Sequence, residues 1–97
     1  MNEDWSQWLD FDRMNIEATP ELPGVFVMHT SMKILFIGGS QNVRRELLGR
    51  LSDPCTGKSK RFRYIVTSSF EALREQLVKE YVDKHGNLPV CMERNSL

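Results

Sequence analysis

The sequence has little that would assign it to a specialised class. No apolar run approaches the roughly 18 residues that a membrane helix needs. The chain does not open with a basic stretch followed by an apolar one, so neither a membrane segment nor a secretory leader is expected. Cysteine is scarce. Cys55 and Cys91 are too few for a disulfide framework, and with only His29 and His85 beside them they lack zinc-site spacing. Both are expected as plain thiols, with a reducing cytoplasm as the default location. P-loop and dinucleotide-binding glycine patterns are missing, as are internal repeats. What remains is 97 residues, 40% hydrophobic and 27% charged, enough for one domain with one core.

Net charge is zero, which argues against an overall basic nucleic-acid binder, but the charge is unevenly placed. Residues 1–22 hold six acids (Glu3, Asp4, Asp10, Asp12, Glu17, Glu21) against Arg13. Residues 44–63 hold seven bases (Arg44, Arg45, Arg50, Lys58, Lys60, Arg61, Arg63) against Glu46 and Asp53. The basic stretch reads either as a phosphate-contacting surface or as the pairing partner of the acidic one.

Periodicity predicts the elements in turn. Trp5, Trp8 and Phe11 recur every third residue, as on one face of a short helix packed against the core. The Thr19–Gly24 stretch, with Pro20 and Pro23, ends any helix there. Val25–His29 and Lys33–Ile37 read as the two strands of a hairpin joined at Thr30-Ser31. Gly38-Gly39 stops the second strand, and Ser40 is the predicted cap of a helix over Gln41–Leu51. Val43, Leu47, Leu48 and Leu51 cover an arc of roughly 140° on that helix, with Arg44 inside it and Arg45 outside. Phe62–Thr67 alternates as a third strand. Ser68 or Ser69 caps a second helix over Phe70–Lys84, which Gly86 ends. The domain proper spans 23–97, with the acidic segment 1–22 packed on it. A doubly wound domain is the rival reading, since Met32 to Leu77 runs strand–helix–strand–helix, but it leaves 24–29 unexplained and its sheet unfinished.

Gly24-Val25-Phe26 and Phe36-Ile37-Gly38 stand with their aromatics ten positions apart, followed by a helix, a strand and a helix. Over about residues 22–90 this resembles the GIY-YIG nuclease family, whose hallmark is a hairpin carrying Gly-Ile-Tyr and Tyr-Ile-Gly triplets. The resemblance implies an α+β fold: a three-stranded, mainly antiparallel sheet flanked by helices. It also implies an active site in which the triplet tyrosines contribute phenolic oxygens, one of them implicated in activating the attacking water. A helix arginine stabilises the phosphate there, and a glutamate on a later helix holds Mg²⁺ or Mn²⁺.

Several of those positions are altered here. Phe26 and Phe36 fill the tyrosine places without an oxygen to donate, accept or ionise. The arginine is commonly eight residues beyond the second triplet, where this chain has Glu46; Arg44 and Arg45 are the nearest substitutes. The metal-holding position falls on Glu75 in one register and on Arg74 in the other. Asn87, or alternatively Asn95, is the candidate for an asparagine that the family carries after this helix. The resemblance therefore implies a catalytically degenerate GIY-YIG domain that needs no cofactor and binds DNA or another nucleic acid. Phosphate contacts would fall on Arg44, Arg45, Lys58, Lys60, Arg61 and Arg63 as one surface. The alternatives are an active metal-dependent endonuclease with a rearranged site and a protein-interaction module whose partner meets the acidic segment.

Overall fold

The computed structural model describes residues 5–93; Glu3, Asp4 and Asn95 lie outside them. In chain order the elements are β1 (Leu9–Asp10), α1 (Arg13–Glu17), β2 (Gly24–Thr30), β3 (Lys33–Ser40), α2 (Val43–Arg50), a 3-10 turn (Thr56–Lys58), β4 (Arg61–Val66), α3 (Phe70–His85) and α4 (Val90–Glu93). Among the described residues no helix is long and apolar enough to cross a membrane.

The expected hairpin is present. β2 and β3 pair antiparallel, with Val27 opposite Ile37 and Phe26 opposite Gly38. Its two-residue turn is Ser31-Met32, one residue later than expected because Thr30 pairs with Lys33, at φ 43° and 67°, the left-handed pair that lets a tight hairpin follow the strand twist without an Asn-Gly. β4 pairs antiparallel with the other side of β2, which eliminates the doubly wound alternative.

The sheet has four strands, ordered β1-β4-β2-β3, where three were expected. The extra strand replaces the expected helix at Trp5, Trp8 and Phe11. Leu9 pairs with Phe62 and Asp10 with Arg61, the Ser6 amide donates to the Tyr64 carbonyl, and the Phe11 amide donates to that of Lys60. These bonds to β4 hold the backbone extended. The three aromatics still pack on the core, but from a strand and its lead-in. The first helix begins later, capped by the Asp12 carboxylate, which accepts from the Asn15 amide at 2.9 Å.

Strand alternation puts Phe26, Met28, Phe36 and Gly38 on one face of the sheet and Val25, Val27, Ile37 and Gly39 on the other. The second face takes α3, whose Leu77 and Tyr81 line one hollow together with Val27 and Ile37. The first face takes α2 and receives the buried Cys91 and Met92 of α4. The helix ends follow their local chemistry. Ser40 stays in β3, its hydroxyl accepting from the Asn42 amide at 3.0 Å. Asn42 is the cap in its place, with Oδ1 accepting from the Arg45 amide at 3.0 Å, so α2 starts two residues later than expected. Gly86, at φ 90°, closes α3 as expected.

The cysteines correct a second expectation. Cys55, just before the 3-10 turn, and Cys91 in α4 form a disulfide, with Cα atoms 5.7 Å apart and a sequence separation of 36. The bond pins α4 and the chain end to the loop after α2. It also removes the premise of free thiols on which the expectation of a reducing compartment rested.

Candidate functional site

The Gly38-Gly39 end of β3, the edge strand, is flanked by α2 on one face and α3 on the other, leaving a cleft of about 390 Å³. Its floor is Phe36, Gly38 and Gly39. α2 contributes Glu46 and Arg50, and α3 contributes Phe70, Glu71, Arg74 and Glu75.

The two phenylalanines of the triplets meet here. Their rings stack with centroids 6.0 Å apart and planes 25° off parallel. Phe26 is fully buried and Phe36 nearly so. Gly38 must lack a side chain for this to happen, because a Cβ would stand 2.5 Å from Phe26 Cζ and 2.7 Å from Phe36 Cε2. Gly39 is looser: a Cβ would lie 3.2 Å from Phe70 and 3.4 Å from Arg74. Above the floor, the Arg50 guanidinium sits 4.4 Å over the Phe36 ring, donates to Glu46 Oε2 at 2.9 Å and lies 3.7 Å from Asp53.

Of the residues expected from the sequence, Phe36 and Glu75 line this cleft, as does Arg74, the other candidate for the glutamate's place. Phe26 lies beneath it. Arg44 and Arg45 do not reach it. Arg44 turns toward the chain's beginning, donating from Nε to the Thr19 carbonyl at 2.8 Å and from Nη1 to Glu21 at 2.6 Å. Arg45 stands exposed on the same side, near Glu17 and Glu21. Asn87 is an exposed turn residue after Gly86 and does not line the cleft. The arginine that does is Arg50, one helical turn beyond Glu46 and on the same face. The i, i+4 spacing of Glu46 and Arg50 on a helix whose first turn must face the sheet was the available signal.

The six bases expected to form one surface fall into two groups. Arg44 and Arg45 sit at the start of α2, beside the Gly24 end of β2, where the Val43 amide donates to the Leu22 carbonyl. Arg61 pairs opposite His29 at the other end of that strand, about 17 Å away. Lys58, Lys60 and Arg61 are exposed there, with Asp10 3.5 Å from Arg61. Arg63 turns inward, its guanidinium 4.7 Å from the Trp5 ring and 4.8 Å from the Trp8 ring. His29, beside these cations, is held below the ordinary histidine pKa by burial first and then by the charges of Arg61 and Arg63.

No family model matches the sequence, and no curated protein matches it either. Solved structures do. The magnesium-bound GIY-YIG N-terminal endonuclease domain of UvrC from Thermotoga maritima superposes with a TM-score of 0.60 at 20% identity, covering 81% of this chain and 92% of that one. A tyrosine-to-phenylalanine point mutant of the same domain, bound to the catalytic divalent cation, gives 0.60 at 21% identity over 81% and 91%. An asparagine-to-alanine point mutant, also cation-bound, gives 0.60 at 20% over 81% and 91%. The hairpin with its paired triplets, the flanking helices and this superposition together establish that the chain has the GIY-YIG fold.

Proposed function

We propose that this is a GIY-YIG-type domain that has lost phosphodiester cleavage and acts as a nucleic-acid-binding module. The observation that carries the reading is the lining of the cleft: phenylalanine and glycine below, arginine and glutamate above, and, among the described residues, no phenol, imidazole or hydroxyl. The chain's two tyrosines are elsewhere. Tyr64 is in β4, on the side of β2 away from β3, and Tyr81 lies further along α3. General-base assistance is typically worth about 10²–10⁴ in rate, and the phenolic groups that the fold's relatives are expected to use for it are gone.

The carboxylates are compatible with a divalent cation. Mg²⁺ commonly uses one or two of them, with water and substrate phosphate completing its shell. Glu75, with Glu71 one turn earlier on the same helix, supplies that donor type. Among the described residues no group of three or more His, Cys, Asp or Glu forms a dedicated metal cage. Such an ion, when bound, supplies positive charge to offset a phosphate. The chain's own part is Arg50 and Arg74 as further cations and Glu46 as a carboxylate opposing them.

Nucleic-acid binding is supported by the endonuclease domains that share the fold and by the exposed bases Lys58, Lys60 and Arg61. Three duplex phosphate contacts give a log–log salt slope near −2.7, a loss of about 40-fold between 50 and 200 mM salt. A second reading, an active nuclease with a rearranged site, draws on Arg50, which keeps an arginine from α2 in the cleft one turn later. In the similar endonuclease domain a tyrosine-to-phenylalanine point mutant is bound to the catalytic cation, so cation binding there does not need that hydroxyl. Incubation with Mg²⁺ or Mn²⁺ and duplex, nicked and branched DNA separates the two. Salt-sensitive binding without cleavage is expected. Metal-dependent cleavage abolished by Glu75→Ala would establish the second reading.

A further inference from the structure

A second hollow, of about 350 Å³, lies at the opposite end of the sheet from the cleft, on the α3 face. Its volume falls at the small end of the roughly 300–1,000 Å³ typical of ligand sites. Over aliphatic residues of the sheet and α3, its walls are aromatic and cationic: Trp5, Trp8, Tyr81, His85, Arg63 and Lys84, with Glu80 the one acid among the described residues. From these residues we infer a binding site for an unpaired nucleobase of a single strand, with the adjoining phosphates held by the surrounding cations. The inference rests on the nucleic-acid-binding reading above and gives it a site outside the cleft.

Three features favour that occupant. First, the tryptophans are held in place. Ser6, close to both, clamps the lead-in segment to β4: its amide donates to the Tyr64 carbonyl at 2.8 Å, and its hydroxyl accepts from the Tyr64 amide at 3.0 Å. Trp8 is further set by an edge contact with His29, ring centroids 4.1 Å apart. Aromatic and guanidinium planes fixed in advance suit base stacking, which tolerates any base because every base has a π face.

Second, the Arg63 guanidinium lies over both indoles, and its Nε is buried with no hydrogen-bond partner among the described residues. Arg63 itself lines the hollow, so the charge of its guanidinium is within reach of a phosphate there. Third, the hollow continues. Ile34, Tyr81 and His85 also line a neighbouring hollow that extends to Lys33 and Met32 at the hairpin turn. Cations at both ends of a run of aromatic faces match a strand rather than an isolated small molecule.

The chain has only two tryptophans, Trp5 and Trp8, so intrinsic emission reports on this hollow. The test titrates fluorescein-labelled octathymidylate, and separately a duplex, at 50 mM salt, following both anisotropy and tryptophan emission. Octathymidylate should quench the tryptophans saturably. Arg63→Gln should weaken that binding about 10-fold or more. The exposed-helix variants Lys84→Ala and His85→Ala, which leave the indole clamp untouched, should each weaken it several-fold. Inorganic phosphate alone should not quench. If DNA binds by anisotropy while emission and the Lys84 and His85 variants are unaffected, the hollow is refuted and the binding module stands. If neither strand nor duplex binds, both fall. Equal quenching by phosphate would reduce the site to a simple anion contact and overturn the inference.

Discussion

Reducing the Cys55–Cys91 disulfide should destabilise the fold by about 4 kcal/mol. The bond joins residues 36 apart and closes a loop that contains β4 and the whole of α3. In the chain-entropy treatment, a loop of that length removes about 13 cal/mol/K from the unfolded chain, or about 4 kcal/mol at 25 °C. Against a typical stability of about 5–15 kcal/mol for a domain, that is a large fraction. At 4–8 °C per kcal/mol for a domain near this size, roughly 15 °C or more of melting temperature is at stake. Reduction is a better perturbation than serine replacement, because Cys91 is buried and a hydroxyl in its place would add a desolvation cost of its own. The assay is urea unfolding at pH 7 with and without dithiothreitol, after a thiol titration of the native protein. The midpoint should fall, and the denaturant slope should rise as the unfolded chain expands. Two titratable thiols in the native protein, or a loss below about 1 kcal/mol, would refute the reasoning.

Gly38→Ala should cost about 1–3 kcal/mol by overpacking the Phe26 and Phe36 rings, whereas Gly39→Ala, with contacts no closer than 3.2 Å, should cost less; urea midpoints of the two variants compare them directly. Asn42→Ala removes the cap bond to the Arg45 amide and should destabilise by about 0.5–2 kcal/mol, read by the same assay. His29 has a folded pKa below its unfolded value, so its neutral form is the one the fold favours. The associated stability is complete above the ordinary histidine range near pH 6.5 and is lost as pH falls below it. His29→Gln should flatten that part of a melting-temperature profile measured from pH 7.5 to 5.

The hairpin was legible because β-branched and aromatic residues in two runs left little else for the backbone to do, whereas its register was not. α3 was legible from its apolar stripe and from Gly86. The N-terminal strand was not. Two paired residues are too few to show alternation, and a spacing of three among Trp5, Trp8 and Phe11 fits a helix until the bonds to β4 are known. The cysteine pair was hidden for a similar reason, since a sequence separation of 36 says nothing until α4 folds back onto the loop after α2. In the site, counting along the chain located Glu46 at the cleft. It missed Arg50, because a count from Gly38 stops at one residue and does not follow the helix to its next turn. Arg44 illustrates the converse: a residue within the apolar arc of α2 found an acceptor at Thr19 and a carboxylate at Glu21 that no local pattern announces.

The electrostatics of the cleft bear on where a nucleic acid would sit. Glu46, Glu71 and Glu75 face Arg50 and Arg74 there, so the lining alone offers a phosphate no net attraction. Arg50 is already engaged by Glu46 and lies near Asp53, and recruiting it for a phosphate means loosening contacts that the fold supplies. An opposed charge at about 4 Å is worth about 4 kcal/mol at a partly solvated site, so each extra carboxylate offsets one arginine. Only a divalent cation on the carboxylates would reverse that balance. At the other end of the sheet Lys58, Lys60 and Arg61 need no such reversal, because they are exposed and, among the described residues, the carboxylate paired with Arg61, that of Asp10, is itself largely solvated. Without a bound cation, a phosphodiester backbone therefore gains more at the end carrying β1 and the hairpin turn than in the cleft inherited from the fold.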